Sequence, residues 1–220
     1  MSELDQLLLN FKFSKNFQKD DFFVSKSNFF AYNLINSWPN WEKNILNICG
    51  EKYSGKSHLL KIFQEKNKGK LFDSRTFTLE HVKNLRLHQN IILENFDEKV
   101  EEKAIFSLIN FVDQNNKYLL IVSELPFNEI NFKLNDLKSR SKNCLIAKID
   151  QPDDDLIKVL IAKSLSDRQI KIDNKLIEYA VKRISRSYGK ISEFIYKIDE
   201  VSLKKKKSID LKTIKKVLGN

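Results

Sequence analysis

Gly50-Glu51-Lys52-Tyr53-Ser54-Gly55-Lys56-Ser57 satisfies the pattern G-x-x-x-x-G-K-[ST] in full. The apolar run Ile45–Cys49 before it predicts a strand, and Lys56–Phe63 predicts a helix after it. A loop between such elements turns its backbone N–H groups inward around a phosphate, and the helix N-terminus adds its positive dipole end. In this setting Lys56 reaches the outer phosphates, and the Ser57 hydroxyl is a ligand for Mg²⁺. The whole stretch Gly50–Ser57 is therefore expected to hold a nucleotide.

Working outward, strands and helices alternate. Ser27–Trp38 reads as a helix with Ser27 as its cap, closed by Pro39. Asn90–Leu93, Tyr118–Ser123 and Cys144–Ile149 read as strands, the last two continuous and mostly apolar, as a parallel sheet covered on both faces requires. Glu101–Asp113 is a helix with Ile105, Leu108, Ile109 and Val112 at helical spacing. This alternation predicts a doubly wound α/β domain. It breaks at Asp150-Gln151-Pro152, after which the pattern is helical: about 153–165, 174–185, 190–203 and 211–218. The expected organisation is a tail at 1–16, an α/β base with a parallel sheet at 17–149 and an all-helical lid at 150–220.

Composition bounds the function classes. Hydrophobic residues at 41% and charged residues at 31% are ordinary for a globular chain. No apolar run approaches a membrane span, and the start Met1-Ser2-Glu3-Leu4-Asp5 is acidic, unlike a signal peptide, so a cytoplasmic protein is expected. Cys49 and Cys144 sit in apolar runs and read as buried thiols; His58, His81 and His88 form no zinc pattern. The formal charge of +10 suits phosphate-rich partners, but a chain rich in Lys, Asn, Ile and Phe also reaches it through background bias. Both explanations stay open. The run Lys204–Lys207 reads as a solvated helix end.

A second acidic strand belongs beside the phosphate loop, ending in a Mg²⁺-linked acid and then an acid that activates water. Here it reads Ile91-Ile92-Leu93-Glu94-Asn95. Glu94 takes the metal side, giving Ser57 and Glu94 as the Mg²⁺ ligands. Asn95 carries an amide, which cannot accept the proton of attacking water. The site is expected to hold nucleotide and to hydrolyse it poorly.

Several segments resemble the DnaA-related branch of the AAA+ family, and most closely its short regulatory Hda branch. Phe22-Phe23-Val24-Ser25-Lys26-Ser27-Asn28-Phe29-Phe30-Ala31 resembles the family segment that lines the adenine, which implies a nucleotide contact at Val24; Ser25 stands where a glycine is usual. Val122-Ser123-Glu124-Leu125-Pro126 is similar to the strand-end sensor region, implying that Ser123 lies near the terminal phosphate. Leu137-Lys138-Ser139-Arg140 matches the L-K-S-R box, in which the arginine is a finger acting in trans. With only six arginines among 39 basic residues, an arginine there is less easily filler, although a surface salt bridge is the plainer alternative. The family's second sensor arginine aligns near Gly189, with Lys190 beside it, which leaves ADP against ATP undecided.

Three features favour regulator over initiator. The chain as given carries no helix-turn-helix segment after the lid. Gln6-Leu7-Leu8-Leu9-Asn10-Phe11 resembles the Q-L-x-L-x-[LF] peptide that docks on the replication sliding clamp, with Gln6 for hydrogen bonds and Leu7, Leu9 and Phe11 as apolar contacts. Asn95 replaces the base. The resemblance thus implies a negative regulator of replication initiation that binds ADP or ATP with Mg²⁺. Its partners would be the initiator DnaA and the sliding clamp, with DNA reached through the clamp and copies of the chain able to assemble. An ATP-hydrolysing helicase loader or initiator accessory is the competing reading, and a stand-alone phosphotransferase a third.

Overall fold

The computed structural model describes residues 21–205 and 209–219. Five strands form one parallel sheet: β1 Ile45–Gly50, β2 Lys70–Asp73, β3 Asn90–Phe96, β4 Tyr118–Ser123 and β5 Leu145–Ile149, in the order β2-β3-β4-β1-β5. Between them run α1 Phe29–Ser37, α2 Lys56–Asn67, α3 Leu79–Lys83, α4 Glu102–Gln114 and α5 Asn135–Ser141, with α1 preceding β1. Then come α6 Asp154–Ser166, α7 Asn174–Val181, α8 Tyr188–Lys205 and α9 Leu211–Leu218. This is the expected α/β base with a parallel sheet followed by helices.

Each face of the sheet is covered, which is why the central strands are apolar without alternation. On one face Leu108 and Val112 of α4 pack with Phe96, Phe127 and Phe132, whose rings meet edge to face at 5.3–6.4 Å. On the other, Ile35 of α1 and Leu59 and Phe63 of α2 close over Leu46 and Ile48. The trailing helices have a core of their own around Ile157, Ile161, Ile177, Phe194, Ile198 and Ile214. Leu156 and Tyr188 leave that set and bury themselves in the sheet's second face, so the lid is seated on the base by apolar contact.

Local chemistry sets several ends. Asp153 and Asp210 accept from the backbone N–H of Leu156 and Thr213 at 2.8 and 2.7 Å, capping α6 and α9. Ser27, the expected cap of the first helix, is not one: α1 begins at Phe29 after Asn28, and the Ser27 hydroxyl meets Ser25 and Tyr188 instead. The edge strand β2 and the short α3 were not foreseen, because four half-exposed residues and a single helical turn carry little periodicity. α7 stops at Val181 and α8 starts at Tyr188, a few residues from the expected limits. Arg140 lies inside α5.

Cys49 and Cys144 are buried and free, and burial pushes each thiol up to about 11. Among the described residues no helix is long and apolar enough to cross a membrane.

Candidate nucleotide site

In the sheet order, β1 lies between β4 and β5, so consecutive connections part there and open a crevice at the strands' carboxyl ends. The loop Gly50–Ser57 crosses that opening. Gly50 fits because a Cβ would stand 3.0 Å from the Ile149 carbonyl oxygen, and Gly55 because its φ is +97°. Gly55 accepts from the amides of His58 and Leu59, at 3.0 Å each, and so starts α2. Tyr53 takes a left-handed turn at φ +72°. The result is a tight curl that runs directly into the N-terminus of α2.

Lys56 lies across this curl. Its Nζ donates to the carbonyls of Gly50 and Glu51 at 2.6 and 2.8 Å. Burial pulls the ammonium below its ordinary value, with Glu124 and Glu51 opposing. It is a half-buried cation satisfied by the loop's own carbonyls, and a phosphate is the stronger acceptor for it.

The loop forms one wall of a cleft of about 1510 Å³ between base and lid. Ser57, Glu94, Asn95, Ser123 and Glu124 line it from the base, and Leu156, Tyr188 and Ile191 from the lid. Phe22 and Phe23 line it at the entry, whereas Val24 is not among the lining residues. Phe22 stacks on Tyr32 at 5.6 Å and meets His58 edge-on at 5.2 Å, an aromatic surface beside the phosphate curl.

Glu94 and Asn95 lie near the carboxyl end of β3. The strand bulges between Leu93 and Phe96, and Asn95 adopts φ +54°, a conformation asparagine tolerates better than most residues. Its side-chain amide donates to Asp73 Oδ2 at 3.0 Å. Asp73 faces Glu94 in the β2–β3 register, and hydrogen bonding to Arg75 holds its carboxyl well below the usual range. Burial pushes the Glu94 carboxyl up, Asp73 adds to this, and Arg75 opposes it. Ser57 and Glu94 fit Mg²⁺, which keeps waters and phosphate oxygens as its remaining ligands; a dedicated protein cage is not needed. Among the described residues no group of three or more His, Cys, Asp or Glu stands together.

Ser123 is held firmly. Its hydroxyl accepts from Asn47 Nδ2 at 2.8 Å and donates to the Leu125 carbonyl. Asn47 also donates to the Ile121 carbonyl and accepts from the Phe127 amide, at 3.1 and 2.8 Å. This fully buried asparagine thereby fixes the β4 end and the turn after it. Sequence reading passed over it, although one polar residue within Ile45–Cys49 was the available signal. Glu51 was assigned only to the loop, yet its carboxylate spans to α8. It accepts from the Ser187 hydroxyl and from the amides of Tyr188 and Gly189 at 3.1 and 3.0 Å.

No family model matches the chain. An uncharacterised Haemophilus influenzae protein is 26% identical over 189 residues, covering 78% of this chain and 80% of that one. The chromosomal replication initiator DnaA of Buchnera aphidicola is 23% identical over 241 residues, covering 97% of this chain and 55% of that one. The chain thus spans about half the length of that DnaA. Domain III of Thermotoga maritima DnaA superposes with a TM-score of 0.75 at 19% identity, over 92% of this chain and 95% of that one. AMPPCP-bound DnaA from Aquifex aeolicus gives 0.66 at 18%, over 85% and 67%. The chain shares the fold of DnaA domain III.

Within this fold, the remaining expected site residues separate. Arg140 is not among the cleft's lining residues; its Nη1 donates to Asp113 Oδ2 at 3.0 Å near the end of α4, and the side chain stays 45% exposed. Lys190 pairs with Glu193 on its own helix at 3.0 Å and does not line the cleft. Gln6, Leu7, Leu9 and Phe11 lie outside the described residues.

Proposed function

We propose that this chain holds an adenine nucleotide with Mg²⁺, hydrolyses it very slowly, and acts in trans as a negative regulator of replication initiation. The observation that carries this reading is Asn95. The place after Glu94 holds an amide tied to Asp73, while the phosphate curl, Lys56, Ser57 and Glu94 are all present. A site that keeps its phosphate and metal groups without a base suits retention.

The nucleotide's phosphates take the loop amides and the Lys56 ammonium; Ser57 and Glu94 hold the Mg²⁺, which neutralises phosphate charge. Ser123 stands at the far side of the phosphates, and Phe22 belongs to the adenine approach, with Val24 behind it in the chain. AMPPCP in the Aquifex aeolicus relative supports the adenine-nucleotide class. The partner is the initiator DnaA, whose ATP would meet Arg140. A guanidinium against a γ-phosphate stabilises transition-state charge and is worth about 10³–10⁵ in rate. Arg140's place outside the lining of its own cleft supports service to a neighbour's nucleotide. Gln6, Leu7, Leu9 and Phe11 would tether the chain to the sliding clamp, and so indirectly to DNA.

The test is single-turnover hydrolysis of initiator-bound ATP with clamp-loaded DNA. Wild type should stimulate it, Arg140→Ala should not, and Arg140→Lys should rescue little because a point charge lacks the planar fork. Full stimulation by Arg140→Ala would defeat the trans mechanism and favour an ATP-hydrolysing loader.

A further inference from the structure

Glu51 sits second in the phosphate curl, and its two ends face different partners. Its backbone carbonyl accepts from Lys56 Nζ at 2.8 Å. Its side chain reaches 138 residues along the chain to the first turn of α8. There Oε1 accepts from the Ser187 hydroxyl and the Gly189 amide, and Oε2 from the Tyr188 amide. Ser187 Oγ takes the next amide, Lys190, at 3.4 Å. All three leading amides of an 18-residue helix are thus accounted for, two of them by a carboxylate from another part of the fold.

The carboxylate belongs there electrostatically. Burial alone would raise Glu51, but the bonds from Ser187, Gly189 and Tyr188, with Lys56 assisting, outweigh it and leave the group below its ordinary value. Space at Gly189 is matched to it, since a Cβ there would come 3.1 Å from Oε1. A second tie fixes the same helix end: the Tyr188 ring is 3% exposed, and its hydroxyl lies 3.3 Å from Ser27 Oγ. Ser27 in turn accepts through its carbonyl from Asp150, where base passes into lid.

We propose that Glu51 is a positioning residue that latches the lid to the phosphate curl, so that the lid's hold on a bound nucleotide depends on a carboxylate–helix contact. This rests on the nucleotide-binding reading above. Phosphates arriving at Lys56 draw its ammonium away from the Glu51 carbonyl, so the residue that answers to occupancy also carries the lid. The first turn of α8 itself sends no cation toward the cleft: Gly189 has no side chain and Lys190 is engaged with Glu193.

The experiment is amide hydrogen exchange on the full chain, with and without ADP, for wild type, Glu51→Ala and Ser187→Ala, paired with ADP dissociation rates. In nucleotide-free protein the amides of Tyr188–Ser192 should exchange about tenfold faster or more in Glu51→Ala, with a smaller change in Ser187→Ala. ADP should leave Glu51→Ala about tenfold faster. Ser187→Ala lies outside the curl, so a parallel, smaller effect there marks the lid and not a damaged loop. Unchanged exchange in α8 of Glu51→Ala overturns the latch. Faster exchange with unchanged ADP release overturns its role in retention. If wild type binds no ADP, the nucleotide reading fails and retention with it, while exchange still decides whether Glu51 holds the lid.

Discussion

Asn95 donates its side-chain amide to Asp73 Oδ2 across the β2–β3 pairing, 3.0 Å away. The bond turns the residue after Glu94 toward the sheet edge, and its φ of +54° comes with the bulge near the end of β3. Loss of the base and the local backbone are therefore one feature: a conformation that favours asparagine, held by a carboxylate on the neighbouring strand.

From this pairing, purified wild type should bind ADP and ATP with Mg²⁺ yet turn ATP over very slowly. Lys56→Ala should abolish binding. Asn95→Asp alone places two carboxylates together, so the informative variant is the exchange Asp73→Asn with Asn95→Asp. It restores an acid after Glu94 and keeps a hydrogen-bonding partner at position 73. Turnover should rise about tenfold or more, measured as phosphate release, and vanish when Lys56→Ala is added. Brisk ATPase in the wild type, lost in Lys56→Ala, would contradict the reading of the site.

Asn47 makes a separate, thermodynamic prediction. Asn47→Ala strips partners from the buried Phe127 amide and from Ser123. It should cost about 2–3 kcal/mol, because groups left unsatisfied in the interior keep their desolvation penalty. Urea unfolding reads this as a lower midpoint at unchanged slope. ADP affinity should fall with it, since the end of β4 lines the cleft. A midpoint equal to wild type would mean that the network at the β4 end is not supporting the fold.

The tail carries the third prediction. Changing Gln6 and Leu9 to Ala should remove binding to immobilised sliding clamp in surface plasmon resonance. Nucleotide affinity and the unfolding midpoint should stay as in wild type. Equal clamp binding by wild type and variant would end the tether idea and leave the regulator to find its initiator by other contacts.

Sequence alone determined the parts governed by short-range rules. The curl Gly50–Ser57 was legible because its glycines answer steric demands of a few neighbouring atoms. The sheet strands Ile45–Cys49 and Tyr118–Ser123 were legible because burial on both faces leaves them mostly apolar, with Asn47 and Ser123 as the polar exceptions. The Ile105-Leu108-Ile109-Val112 stripe read correctly because it faces one continuous core. What only the tertiary structure decided were pairings between distant segments. Nothing near Glu51 announces that its carboxylate caps a helix starting at Tyr188, and nothing near Asn95 points to Asp73. The edge strand β2 escaped because a half-exposed strand owes its place to its neighbour's hydrogen bonds more than to its own residues. Hydrophobic period is written along the chain, whereas a polar contact exists only once folding has brought its two halves within about 3 Å.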